Sequence, residues 1–115
     1  MPKDRIRRVN EAVREVVSEA ITTEMKDPRV GFVTVTSVDT SPDLRQAHVF
    51  VSVLGDEKQR EESLAGLNAS RAYLQARVAS RLRMKHTPRL DFQYDPSAER
   101  VMRLSELLRE GGEQP

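Results

Sequence analysis

Two runs of alternating β-branched and polar residues between Gly31 and Gly55 constrain this chain more than any other feature. Residues 32–39 (FVTVTSVD) and 46–54 (QAHVFVSVL) both show the period of two that a half-buried strand requires. Between them Thr40-Ser41-Pro42-Asp43-Leu44-Arg45 is short and rich in turn formers, so the two runs are expected to pair as an antiparallel hairpin. One face of the second run carries Ala47, Val49, Val51 and Val53. An isolated two-stranded ribbon is marginal in water, so the rest of the chain must cover that face.

The flanking segments have the patterns to do so. Residues 4–25 place Ile6, Val9, Val13, Val16, Val17 and Ala20 on one arc at helical periodicity, with Arg7 and Arg14 on one outer flank and Glu11, Glu15 and Glu19 on the other. Pairs such as Arg8 with Glu11 are expected along that outer surface. Asp27-Pro28-Arg29-Val30-Gly31 ends this helix, because proline biases the residue before it away from the helical region. After Gly55-Asp56, residues 57–67 read as a short, highly charged helix anchored by Leu64 and Leu67. A further helix to about residue 83 carries the row Leu74, Val78 and Leu82. Ala72, Ala76 and Ala79 form a second, small-residue face suited to close packing. A single continuous helix from residue 64 would put Arg71 in the apolar arc, so a bend is expected near Ser70. Thr87-Pro88 interrupts the chain, and residues 89–94 (RLDFQY) alternate as a third strand. Ser97 then suits the N-cap of a last helix bearing Val101, Met102, Leu104, Leu107 and Leu108, before a frayed, glycine-containing tail.

The order α-β-β-α-(kink)-α-β, with a C-terminal helix added, predicts an α+β fold whose helices cover one face of a three-stranded sheet. At 115 residues the chain fits one core. The expected division is a domain over residues 4–95, followed by a C-terminal helix and flexible tail over 96–115.

Several chemistries are excluded by what the sequence lacks. With no cysteine there is no disulfide, thiolate catalysis or Cys-ligated zinc, and a reducing cytoplasm is the expected location. No apolar run approaches the roughly 20 residues that span a bilayer. His48 and His86 lack the spacing of paired metal ligands, and Asp27, Asp39, Asp43, Asp56 and Asp95 mostly sit beside turn formers, where carboxylates cap backbone. There is no glycine-rich phosphate loop. Neither a catalytic constellation nor a cofactor or metal site is expected.

Binding remains, and charge distribution locates it. The net charge is only +1, yet residues 71–90 contain Arg71, Arg77, Arg81, Arg83, Lys85 and Arg89 and no acid. Arg77 and Arg81, four residues apart, share a helix flank. Such a block suits a polyanion, with Arg7 as an additional candidate contact. Five aromatic residues in the whole chain leave few for stacking bases, which favours recognition of shape and backbone over the reading of single strands.

Local phrases resemble the ribosome-binding factor A family, bacterial small-subunit assembly factors with a type II KH-like fold. They are Arg5-Ile6-Arg7-Arg8-Val9-Asn10, Lys26-Asp27-Pro28-Arg29-Val30-Gly31 followed by Val33-Thr34-Val35-Thr36, Ser41-Pro42-Asp43-Leu44-Arg45-Gln46-Ala47 leading to Val49-Phe50-Val51-Ser52-Val53-Leu54-Gly55, and Arg81-Leu82-Arg83-Met84-Lys85-His86-Thr87-Pro88-Arg89-Leu90-Asp91-Phe92. The likeness spans residues 4–108. Where the family has an Ala-x-Gly kink in place of the KH GXXG loop, the matching positions read Ser70-Arg71-Ala72, so the kink's location carries over and its glycine geometry does not.

The resemblance implies a mixed sheet with two strands parallel. It also implies binding to the small ribosomal (30S) subunit and to 16S rRNA during late maturation, including processing of the rRNA 5′ region, and a role sharpened in the cold. The expected protein is a non-catalytic, monomeric RNA-binding factor with no membrane partner. The alternatives are a KH-like module for another structured RNA, or a protein-docking module using the 57–62 helix or the C-terminal helix.

Overall fold

The computed structural model describes residues 2–25, 27–97 and 107–108. Its elements are α1 (Pro2–Thr23), β1 (Val33–Thr40), β2 (Gln46–Val53), α2 (Glu57–Ala69), α3 (Arg71–Leu82) and β3 (Arg89–Tyr94). The sheet runs β1-β2-β3, with β1 antiparallel and β3 parallel to β2. This is the mixed sheet that the family resemblance implies. The period-two pattern cannot give the direction of β3, because side-chain alternation is the same in either direction.

Alternation sorts the sheet into two faces. Val35, Ala47, Val49, Val51, Leu90 and Phe92 point to the helices and are buried, together with Val9, Val13, Val17 and Ala20 of α1, Leu67 of α2 and Leu74 and Val78 of α3. A register shift between Val35 and Ser37 makes a bulge at Thr36, which keeps Val38 and Thr40 on the helix side of the sheet. At that end Asn10 ties α1 to β1. Its Oδ1 accepts from the Thr40 backbone N–H at 2.9 Å and from the Thr40 hydroxyl, and Thr40 is buried.

The α3 surface departs from the sequence expectation in one respect. Ala72 and Ala76 are exposed, so the alanine face is not a close-packing seam; α3 packs against α1 and β3 through its Leu74 and Val78 arc and leaves the alanine side open. Close approach occurs on α2 instead. Gly66 is buried against the 27–30 loop, where a methyl group would stand 2.7 Å from Val30 Cγ2. That loop is shaped by Asp27, which accepts from the Arg29 backbone N–H at 2.9 Å and from its guanidinium at 2.7 and 3.1 Å. Asp56 caps α2 reciprocally with Gln59, at 2.9 and 2.8 Å. Most of the expected C-terminal helix lies outside the described residues; Leu107 and Leu108, within them, are exposed.

Candidate nucleic-acid interface

Helix α3 and the loop after it carry the acid-free basic block, and the structure divides that block in two. Along the helix, the cations turn toward α1, which runs antiparallel beside α3. Arg77 Nη2 lies 2.9 Å from Glu24 Oε1, and Arg81 Nη2 lies 3.4 Å from Glu15 Oε2. Glu24 also accepts from the Tyr73 hydroxyl, and this carboxylate raises the Tyr73 phenol above its ordinary pKa. Arg7 pairs with Glu11 at 3.5 Å within α1, so the i,i+4 partner of Glu11 is Arg7 and not Arg8. Arg71 Nη2 donates to Asn68 Oδ1 at 2.8 Å, and its Nε is buried without a hydrogen-bond partner. Four of the seven predicted cations therefore have partners within the chain.

The bend is centred on Ser70, with Ala69 the last residue of α2 and Arg71 the first of α3; Ala72 lies within α3. Ser70 has φ −94° and ψ 7°, on the negative side of φ that any L-residue reaches, so this bend requires no glycine. Its N–H is shared between the Gly66 and Leu67 carbonyls at 3.1 Å each, which closes α2, and its carbonyl accepts from Leu74 to open α3.

Beyond α3 the picture reverses. Arg83, Lys85 and Arg89 are exposed and make no ion pair among the described residues. Arg83 ends the helix in the left-handed conformation (φ 52°, ψ 33°), its N–H bonded to the Ala79 carbonyl. The chain then turns along Met84–Thr87 past the β1–β2 turn. Arg89 joins the two by donating its N–H to the Arg45 carbonyl at 2.8 Å. Arg5 from α1, Asp43, Leu44 and Arg45 from the turn, and Met84, Lys85, His86 and Thr87 line one groove of about 620 Å³.

The turn is held firmly. Asp43 accepts from the Ser41 hydroxyl at 2.6 Å and the Arg45 N–H at 3.0 Å, bonds that hold its carboxyl below the usual range, the hydroxyl contributing most. Arg5 and Arg45 are not among the sequence-predicted contacts. Arg5 belongs to the basic start of the chain with Lys3, Arg7 and Arg8, Arg45 follows the turn alone, and only the fold brings them beside Lys85. The sequence signals available are the basic cluster at the start of the chain and a single cation two residues after Asp43.

On the open face of the sheet Asp39, His48 and Asp91 occupy adjacent register positions across the three strands. His48 Nδ1 is 3.0 Å from Asp91 Oδ2, and Gln93 Nε2 donates to the same oxygen at 2.7 Å. The Asp91 carboxyl is held below its ordinary pKa, first by Gln93 and then by His48. Among the described residues no group of three or more His, Cys, Asp or Glu side chains could hold a metal ion, and no helix is long and apolar enough to cross a membrane.

A family model described as ribosome-binding factor A matches residues 5–108. The chain is 44% identical over 109 residues to a ribosome-binding factor A of Halothermothrix orenii, spanning 95% of this chain and 89% of the relative. It is 48% identical over 108 residues to one of Rhodopirellula baltica, spanning 94% and 79%. Among solved structures it is similar to the crystal structure of ribosome-binding factor A from Thermus thermophilus, with a TM-score of 0.69 and 29% identity over 77% of this chain and 93% of that one. It is also similar to a Thermus thermophilus homology model fitted into the electron cryo-microscopy map of a complex of the factor with the 30S subunit. There the TM-score is 0.63 and the identity 30%, over 76% of this chain and 91% of that one.

Proposed function

The chain belongs to the ribosome-binding factor A family, and from that membership we propose that it is a non-catalytic assembly factor binding the small ribosomal subunit during late maturation. The observation that carries this reading is the set of exposed cations Arg83, Lys85 and Arg89, without ion pairs among the described residues, on the loop between α3 and β3 and at its ends. Cations without internal partners lose little by pairing with phosphate, and each phosphate they meet releases condensed counterions. The Thermus thermophilus relative fitted into the 30S complex supports the choice of the subunit as the partner. Contact with 16S rRNA, a part in processing its 5′ region and greater need in the cold complete the proposal, with the protein acting in the cytoplasm as a monomer and without a cofactor. Residues 4–95 are the RNA-binding unit.

Arg7, Arg71, Arg77 and Arg81 have a different role in this reading. Their intramolecular bonds would have to be broken or shared to reach phosphate, so Arg77 and Arg81 hold α3 to α1, Arg71 braces the bend and Arg7 pairs within α1. Co-sedimentation with isolated small and large subunits tests the proposal, wild type beside an Arg83→Gln, Lys85→Gln, Arg89→Gln variant. Retention on the small subunit alone, weakened in the folded variant, is expected. Equal retention on both subunits, or on neither at low salt, overturns it. Loss of the protein should also accumulate 16S precursors with unprocessed 5′ ends, more so in the cold.

A further inference from the structure

We infer that the groove between the start of α1, the β1–β2 turn and the α3–β3 loop is a binding site for the sugar–phosphate backbone of structured RNA, with Arg5, Arg45 and Lys85 as its cations. It lies at the far end of α3 from the bend at Ser70. The inference rests on the RNA-binding reading above and gives it a place.

Convergence is the first reason. Three cations from three separate segments, with His86 among them, line one groove. Arg5 and Lys85 have no ion pair among the described residues, and Arg45 approaches Asp43 only at 4.0 Å, with 85% of its side chain exposed. The one acid in the groove, Asp43, is occupied by the Ser41 hydroxyl and the Arg45 N–H. Gathering three cations around a single carboxylate leaves an excess of positive charge that costs stability, and a polyanion relieves that cost.

Rigidity is the second. Leu44 (φ 61°) and Arg83 (φ 52°) are the two non-glycine residues with positive φ among those described, and they stand in the two loops that form the groove. A left-handed leucine or arginine is strained and is held there by its surroundings. The Ser41–Asp43–Arg45 bonds and the Arg89-to-Arg45 backbone bond hold the turn around Leu44, and the Arg83 N–H bond to the Ala79 carbonyl holds the end of α3. Lining chemistry is the third reason. No Phe, Tyr or Trp lines the groove, so His86 is the one ring there for a base to stack on, while the half-buried Leu44 and Met84 offer apolar support beside the cations.

The test is binding of the full chain to isolated small subunits across a salt series, for wild type, an Arg5→Gln, Arg45→Gln variant and a Lys58→Gln control. Lys58 is an exposed cation on α2, which leaves the opposite end of β2. Two lost phosphate contacts should weaken binding at least about tenfold near 0.1 M salt and make the log–log salt slope shallower by about 1.5, with the control unchanged. If the folded double variant keeps wild-type affinity and slope, the groove is not the site, although the subunit-binding reading stands. Amide shifts of unaltered protein titrated with an RNA hairpin separate the remaining cases and do not depend on any variant folding. Shifts concentrated at residues 43–45 and 84–87 support the groove even if ribosomal subunits are not bound. Shifts confined to the Ser70 bend overturn it.

Discussion

Reversing charge at Arg77 and Arg81 should damage the fold before it damages any interaction with RNA. Arg77 meets Glu24 at 2.9 Å with side chains 46% and 25% exposed, so after solvent screening the pair contributes about 1 kcal/mol. The Arg81–Glu15 pair, at 3.4 Å and mostly exposed, contributes about 0.3 kcal/mol. The Arg77→Glu, Arg81→Glu variant replaces both attractions with repulsions of similar size between α1 and α3. The expected loss is therefore roughly 2–3 kcal/mol, with a midpoint about 10 °C lower for a domain of this size. Thermal and urea melts measure it. A cycle through Arg77→Ala, Glu24→Ala and the double variant should give a coupling near 1 kcal/mol, falling as salt rises. A coupling indistinguishable from zero, with an unchanged melt for the reversal, would refute the view that these arginines serve the helix pair.

Three other perturbations probe separate parts of the fold. Asn10→Ala strands the buried Thr40 N–H and should cost about 1–3 kcal/mol in urea denaturation, far more than an average half-exposed asparagine. Gly66→Ala pushes a methyl into Val30 and should lose about 1–2 kcal/mol despite alanine's better helix propensity; adding Val30→Ala should recover part of it. Arg29 holds the Asp27 carboxyl at about 2, below its ordinary 3.8, by hydrogen bonds first and charge second. The ionised form is the one favoured by folding, so this contribution is complete above the ordinary value and disappears as pH falls through about 2. A carboxyl-carbon titration by NMR should find that low midpoint; one near the ordinary value would contradict the Asp27–Arg29 geometry.

What the sequence determined by itself was set by local periodicity. The β1 and β2 runs, the apolar arc of α1, the Leu74–Val78 row and the break near Ser70 all follow from repeats of about 2 or 3.6 residues and from local steric rules. The direction of β3 came through the family resemblance, since alternation alone is blind to it. Tertiary structure decided which cations are available. Glu24 and Glu15, the partners of Arg77 and Arg81, lie 53 and 66 residues away in the chain. The acid-free stretch thus has acids against it in space. Conversely, Arg5 and Arg45 lie in segments remote from Lys85 in the chain and join it only when the β1–β2 turn and the α3–β3 loop meet. Coulomb interaction depends on distance through space, whereas a run of charge in sequence reports distance along the chain. In this protein the two orderings differ most at its basic surface.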